Sequence, residues 1–121
     1  MVEDFFNTLL SFPCYWEVEK IEHDIETNEV DIYIKFNTEN YKEEHSDIYF
    51  GLHDYQDYRR WRHLDILQYK TFIRAKLPRL KGNDGKVTTL EVPWASLTNR
   101  HSFLFEMKIM LIRMFTQGES I

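Results

Sequence analysis

Two segments in which apolar and polar residues alternate constrain the fold of this chain more than any other feature. Residues 29–36 and 69–79 each place a hydrophobic side chain at nearly every second position. This is the period of a β-strand with one buried face. The sets expected to point inward are Val30, Ile32, Ile34 and Phe36, and then Tyr69, Thr71, Ile73, Ala75 and Leu77. The chain is therefore predicted to contain a sheet.

Turn sequences supply a partner for each of these strands. Residues 15–23 precede the first alternating segment, and a turn at 26–28 between them predicts a hairpin. Residues 82–85, Gly-Asn-Asp-Gly, follow the second segment and predict a tight turn, because Gly and Asn tolerate positive φ. Residues 86–92 are then expected to pair back as a strand.

Helical spacing of apolar residues marks both ends of the chain. Residues 3–11 predict a short helix that Pro13 stops. Residues 102–117 predict a longer helix, with Gly118 available to end it. The candidate caps for its start are Thr98, Asn99 and Ser102.

No repeat, linker or boundary divides the chain into parts. Residues 37–50 are polar and acidic and are expected to form a loop. We therefore predict one α+β domain over residues 1–121. It would consist of a small antiparallel sheet in a β-rich part, 15–95, with a helix at each end.

Composition excludes several classes of protein. Aromatic residues make up 16% of the chain, which is enough apolar material for a packed core. The single cysteine, Cys14, can form neither an internal disulfide nor a multi-cysteine zinc site, and its apolar neighbours predict that it is buried and inert. No apolar run is long enough to span a bilayer and no secretory signal opens the chain, so a cytoplasmic protein without a membrane partner is expected.

The net charge of −5 is unevenly distributed. Residues 1–58 contain 15 acidic and 3 basic residues, whereas residues 59–86 contain 9 basic and 2 acidic residues. A local basic block of this kind is typical of a surface that contacts nucleic acid. Such a block can also be an ordinary solvated face.

The most informative part of the basic block places three arginines beside one tryptophan. Arg59, Arg60 and Arg62 flank Trp61, and Lys70, Arg74 and Lys76 are expected to project from one side of the following strand. The planar guanidinium group of arginine binds phosphate, and an aromatic ring can stack on a base or pack as an anchor. Two interpretations stay open here. In one, the six cations contact DNA; in the other, Trp61 packs in the core while the arginines pair with the acidic half.

Patterns for catalysis are weak. His53-Asp54 invites comparison with metal phosphohydrolases, but a working site needs further ligands, and a side chain that caps a turn is the simpler interpretation. The chain contains no Gly-rich phosphate loop and no Gly-x-Ser-x-Gly elbow. We therefore predict that it is not an enzyme.

A series of short motifs in a fixed order resembles a known family. The motifs are His53-Asp54-Tyr55, Arg60-Trp61-Arg62-His63-Leu64-Asp65, Tyr69 to Arg79, Val92-Pro93-Trp94-Ala95 and Phe103-Leu104-Phe105-Glu106. Over about residues 15–115 they resemble the N-terminal region of ISL-three-type insertion-sequence transposases. Within that family the resemblance is to an ISAon-like subgroup, in which this region is a separate short reading frame.

The resemblance implies a fold and a function. It implies a zinc ribbon followed by the start of a helix-turn-helix, which binds the terminal inverted repeats of the element. It also implies that the catalytic DDE domain lies on another polypeptide, or further along, and takes part in transposition and DNA recombination. The expected partners are double-stranded DNA and the catalytic transposase polypeptide. The alternative is a stand-alone protein-interaction module derived from a transposase fragment.

The zinc of the family is not expected here. By spacing, its two Cys-x-x-Cys knuckles fall on Lys42 with His45 and on Gly82 with Gly85, and none of the four is cysteine. A structural zinc site needs about four thiolate or imidazole ligands. A partial site built from His45, His53 and Asp84 is the remaining alternative. The chain is otherwise predicted to bind no metal and no other cofactor.

The C-terminal helix is apolar around most of its circumference. Only Glu106, Lys108 and Arg113 interrupt its apolar residues over 103–115. A helix at the edge of a small sheet buries one face only, so the rest is expected to form a homodimer surface or to dock the missing transposase part. The alternative is that the predicted N-terminal helix folds back and covers it.

Overall fold

Five strands and two helices form the described part of the chain in the computed structural model. It describes residues 12–47, 50–96 and 101–119, with side chains as far as residue 114. The helix predicted over 3–11, and the candidate caps Thr98 and Asn99, lie outside the described residues. In chain order the elements are β1 (Trp16–Asp24), β2 (Glu29–Phe36), α1 (Thr38–Glu44), β3 (Phe50–Ile66), β4 (Tyr69–Gly82), β5 (Val87–Thr89) and α2 (Phe103–Glu119).

The sheet is mixed, so the prediction of a purely antiparallel sheet was wrong. The strand order is β1-β2-β4-β3, with β5 also on β4, and β2 and β4 run parallel. After β2 the chain passes through α1 and forms β3 at the edge of the sheet, so that one empty position separates β3 from β2. β4 then turns back into the gap, antiparallel to β3 and therefore parallel to β2. The α+β class is confirmed.

The first hairpin is confirmed in position and register. β1 and β2 pair antiparallel from Trp16 opposite Phe36 to Asp24 opposite Glu29. The Asp24 carboxylate accepts hydrogen bonds from two turn amides, and Asn28 adopts a positive φ of 60°. A bulge between Val18 and Lys20 explains why the apolar alternation of β1 is imperfect.

Two elements were missed in the middle of the chain. The expected loop at 37–50 contains α1, whose N-cap Asn37 accepts a hydrogen bond from the Asn40 amide at 3.0 Å. The polar stretch that follows is the 17-residue strand β3. Three irregularities in its pairing with β4 shift the register, so no period of two is visible in its sequence.

The core lies on one face of the sheet, under the segment that follows β5. β5 is shorter than predicted, because after Thr89 the chain leaves the sheet edge and buries Val92, Trp94 and Ala95. Trp94 meets Trp16 and Trp61 edge to face, with ring centroids 5.2 and 5.3 Å apart. The predicted inward residues of β2 and of β4 from Thr71 to Leu77 are all buried here, whereas Tyr69 is only partly buried.

A buried pair of polar side chains attaches α2 to β3. Ser102 caps the helix by accepting a hydrogen bond from the Phe105 amide at 3.2 Å. It is one of the three residues predicted as candidate caps. The Ser102 hydroxyl also lies 2.5 Å from Nδ1 of His63. Both side chains are buried. The helix runs to Glu119, one residue past Gly118.

This attachment predicts a loss of stability in mild acid. Burial, and then the nearby charge of Arg62, lower the pKa of His63 below its ordinary value. The unfolded chain therefore binds the proton more tightly, so stability is complete above about pH 6.5 and falls as the pH drops below it. We expect the free energy of unfolding to fall by at most about 1.4 kcal/mol per pH unit between pH 6.5 and 5. Urea unfolding of wild type and of His63→Gln measures this; equal slopes in the two proteins would contradict it.

Candidate nucleic-acid interface

The face of the sheet opposite the core divides into an acidic half and a basic half. β1 and β2 contribute Glu22, Asp24, Glu29 and Asp31 to it. These side chains point away from the core because the residues that alternate with them in each strand point into it. β3 and β4 contribute the cations predicted to bind DNA, while β1 and β2 add Lys20 and Lys35 to the acidic half. We call this surface the open face, and its two halves meet where β2 runs beside β4.

Five of the six cations predicted to bind DNA lie on the open face. The register pairs Arg60 with Arg74, and Arg62 with Phe72, while Trp61 and Ile73 between them are buried. The alternation of buried and exposed residues along β4 places Lys70 and Lys76 on the same face. The sixth, Arg59, lies opposite Ala75 on the other side of the sheet, with its guanidinium 5.1 Å from the Trp61 ring.

Two of these arginines converge on one carboxylate of the acidic half. Nε of Arg60 and Nε of Arg74 lie 2.9 and 2.8 Å from Oδ1 of Asp31. Arg60 also donates to Glu29 at 3.0 Å. Burial alone would raise the pKa of Asp31, but the hydrogen bonds and charges of the two arginines together hold that pKa below its ordinary value. Arg60 and Arg74 thus pair with the acidic half and Trp61 packs in the core, as the second sequence interpretation expects for Arg60, whereas Arg62 pairs with Asp65.

Arg62 is held by its own strand and its neighbour. Its guanidinium lies 2.6 Å from the Asp65 carboxylate and donates to the carbonyls of His63 and Thr71, at 2.7 and 3.2 Å. It also lies 4.8 Å from the centre of the Phe105 ring. These partners fix the orientation of its planar guanidinium group.

Lys70 and Lys76 are exposed lysines of β4 within the basic half. Lys70 lies near the start of the strand and Lys76 near its middle, and both side chains face solvent. The Lys76 ammonium lies 5.1 Å from the ring of Tyr58 on the neighbouring strand. An exposed ammonium next to an exposed aromatic ring can meet a phosphate and a base or sugar together.

A concave groove lies where the start of α2 meets β3. We call it the arginine groove; its lining residues are Arg59, Arg60, Arg62, Phe72, His101 and Phe105. His101 forms a bridge with the Arg62 backbone and stacks on Phe105, with ring centroids 5.1 Å apart and planes 9° apart. Sequence reasoning missed His101 and Phe105, since only the docking of α2 onto β3 brings them to the arginines.

The other candidate sites do not assemble. Asp54 forms a two-pronged ion pair with Arg79, whose hydrogen bonds hold the pKa of Asp54 below its ordinary value. Cys14 is exposed, so the prediction of a buried thiol was wrong: the turn before β1 leaves it at the surface, with Sγ 3.8 Å from a Glu44 carboxylate oxygen. Within residues 12–47, 50–96 and 101–119, no group of three or more His, Cys, Asp or Glu side chains could hold a metal, and this includes His45, His53 and Asp84.

Comparisons of the chain with protein-family models, curated proteins and solved structures find no match. Neither described helix is long and apolar enough to cross a bilayer. The open face and the arginine groove are therefore the features of the described residues that bear on function.

Proposed function

We propose that this chain is a DNA-binding module without catalytic activity of its own, which receives the phosphate backbone in the arginine groove. The observation that carries the proposal is the groove's lining of three arginines, a histidine and two phenylalanines. Guanidinium groups are the side chains best matched to phosphate oxygens. Aromatic rings beside them favour a ligand that also has apolar surface, such as a sugar or a base.

The neighbouring lysines extend this surface along β4. Lys70 and Lys76 can contact further phosphates as point charges. Arg60 and Arg74 are partly neutralised by Asp31, and the acidic half next to them repels DNA. Arg62 is likewise paired with Asp65 at 2.6 Å. The proposed contacts are thus fewer than the six cations counted in the sequence, about three, and involve the exposed Lys70 and Lys76 together with the arginine groove.

The resemblance to transposase N-terminal regions supplies a biological setting for this proposal. In that setting the chain recognises the ends of a mobile element, and a separate catalytic polypeptide cuts and joins the DNA. Its sheet would be a zinc ribbon that has lost its metal. The Gly82 to Gly85 turn closes without ligands, because the Gly85 amide donates to the Gly82 carbonyl at 3.0 Å.

Salt dependence tests the DNA contacts. With about three phosphates contacted, the logarithm of duplex affinity is expected to fall against the logarithm of salt with a slope of roughly −3. Arg59→Ala and Lys76→Ala should each make the slope shallower by about 1 and weaken binding to all sequences alike. Anisotropy of a labelled duplex measures both quantities.

Lys42→Ala is the matched control, because Lys42 is an exposed lysine on α1 that does not line the groove. It should leave the slope unchanged. A wild type that binds no duplex at low salt would overturn the proposal. That result would favour the second candidate function, a protein-interaction module, for which the exposed apolar side chains of α2 are the specific observation.

A further inference from the structure

One side of α2 carries a continuous row of exposed apolar side chains. The row, which we call the apolar seam, consists of Phe103, Leu104, Met107, Met110, Leu111 and Met114. Each is between 46% and 61% exposed. Steps of three and four residues connect them, so they share one stripe of the helix. Apolar surface of this extent and regularity on a helix is typical of a surface that another helix covers.

The seam points away from the rest of the domain. Phe105 is on the opposite side of α2, where it meets Arg62 at 4.8 Å, and Lys108 lies on the flank next to Leu104 and Leu111, where it acts electrostatically on Asp65 of β3. Ser102 is buried against His63 at the start of the helix. The first turn thereby fixes the direction of α2. With 3.6 residues per turn, residues 103, 107, 110 and 114 then face outward.

We propose that two copies of this chain pair antiparallel through the apolar seam. A two-fold axis between residues 108 and 109 sets Phe103 opposite Met114 of the second copy, and Met107 opposite Met110 of the second copy. Each contact occurs twice, as an isologous interface requires. A large aromatic residue then faces a flexible methionine at each end, and two methionines interdigitate at the centre.

Charge complementarity selects this orientation. Glu106 and Arg113 lie on the same flank of the seam, two turns apart. In the antiparallel pair each Glu106 lies beside Arg113 of the second copy, while Leu104 lies beside Leu111 on the other flank. A parallel pair would instead set the charged flank of one copy beside the leucine flank of the second. Glu106 would then approach Lys108 of the second copy, but Arg113 would face leucine, and the contact between Leu104 and Leu111 would be lost. The antiparallel pair is therefore the arrangement that matches charge with charge on one flank and leucine with leucine on the other.

The length of the seam sets the strength of the dimer. The seam spans less than four turns, and one helix face buries less than the roughly 800 Å² per partner of a standard interface. Association is therefore expected to be reversible and to depend on concentration. It is also separable from DNA binding, because the seam and the arginine groove share no residue.

The decisive experiment uses charge reversal and mixing, with the full chain followed by sedimentation velocity. Glu106→Arg and Arg113→Glu each create two like-charged contacts per dimer. Each variant alone should therefore dimerise about 10-fold more weakly than wild type. In an equimolar mixture every flank contact becomes attractive again, so heterodimers should form with at least wild-type affinity. Mixing that restores nothing would overturn the antiparallel pairing.

A second pair of variants tests the seam itself. Met107→Glu places two carboxylates in the centre of the interface and should weaken dimerisation at least about 100-fold. Ile109→Glu is the matched control, because Ile109 is an exposed apolar residue of the same helix outside the seam. It should leave the dimer intact. A wild type that stays monomeric at high concentration, or an Ile109→Glu variant as disrupted as Met107→Glu, would overturn the proposal and leave the seam to another occupant.

Discussion

Replacement of Trp61 by alanine is expected to lower the free energy of unfolding by about 3 to 5 kcal/mol. Its indole is fully buried and is 5.3 Å from the Trp94 ring, edge to face. Removal of the ring leaves a large cavity at the point where β3, β4 and the segment after β5 meet. Urea unfolding followed by far-UV circular dichroism measures the loss.

Trp61→Phe is the informative companion variant. The indole N–H of Trp61 is buried and finds no hydrogen-bond partner in the described part of the structure, so its removal relieves an unsatisfied donor. Phenylalanine keeps most of the apolar contact, and a loss of only about 1 to 2 kcal/mol is expected. If both variants unfold within 1 kcal/mol of wild type, Trp61 does not anchor the core as we infer. Trp61→Phe should also leave duplex affinity unchanged, because the ring faces away from solvent.

Asp31→Asn is expected to change stability and DNA affinity in opposite directions. The carboxylate holds Arg60 and Arg74 at 2.9 and 2.8 Å, and the loss of these charged hydrogen bonds should cost about 1 to 3 kcal/mol of folding free energy. The same change removes a negative charge and releases Arg74, while Arg60 keeps its contact with Glu29 at 3.0 Å. Under the proposed function, duplex affinity then rises and the salt slope steepens by about 1.

Glu22→Gln is the control for a change in overall charge. Glu22 lies on the same face, but its carboxylate pairs with Lys20 at 3.1 Å rather than with an arginine of β3 or β4. It removes one negative charge without freeing a guanidinium, so affinity should rise only slightly. Equal gains from the two variants would mean that the general field, and not the release of Arg74, limits DNA binding.

Regular local patterns made part of the fold predictable. The inward residues of β2 and most of those of β4, the first hairpin and the helix after Ser102 all follow from periods of two or of 3.6 and from capping residues. β3 was not predictable, because its bulges break the period and its pairing with β4 supplies the regularity that the sequence lacks. The parallel pairing of β2 with β4 was not predictable either, because no local sequence pattern specifies which distant strand pairs with β2.

The sequence by itself determined which residues carry charge and that Lys70, Arg74 and Lys76 share one side of a strand. Only the tertiary structure decided what those charges do. Asp31 is 29 residues from Arg60 and 43 from Arg74 along the chain, yet it binds both, because the sheet sets β2 beside β4 and β4 beside β3. A partly buried charge needs an opposite charge close to it in space. Which charges are close is decided only when the strands take their order in the sheet.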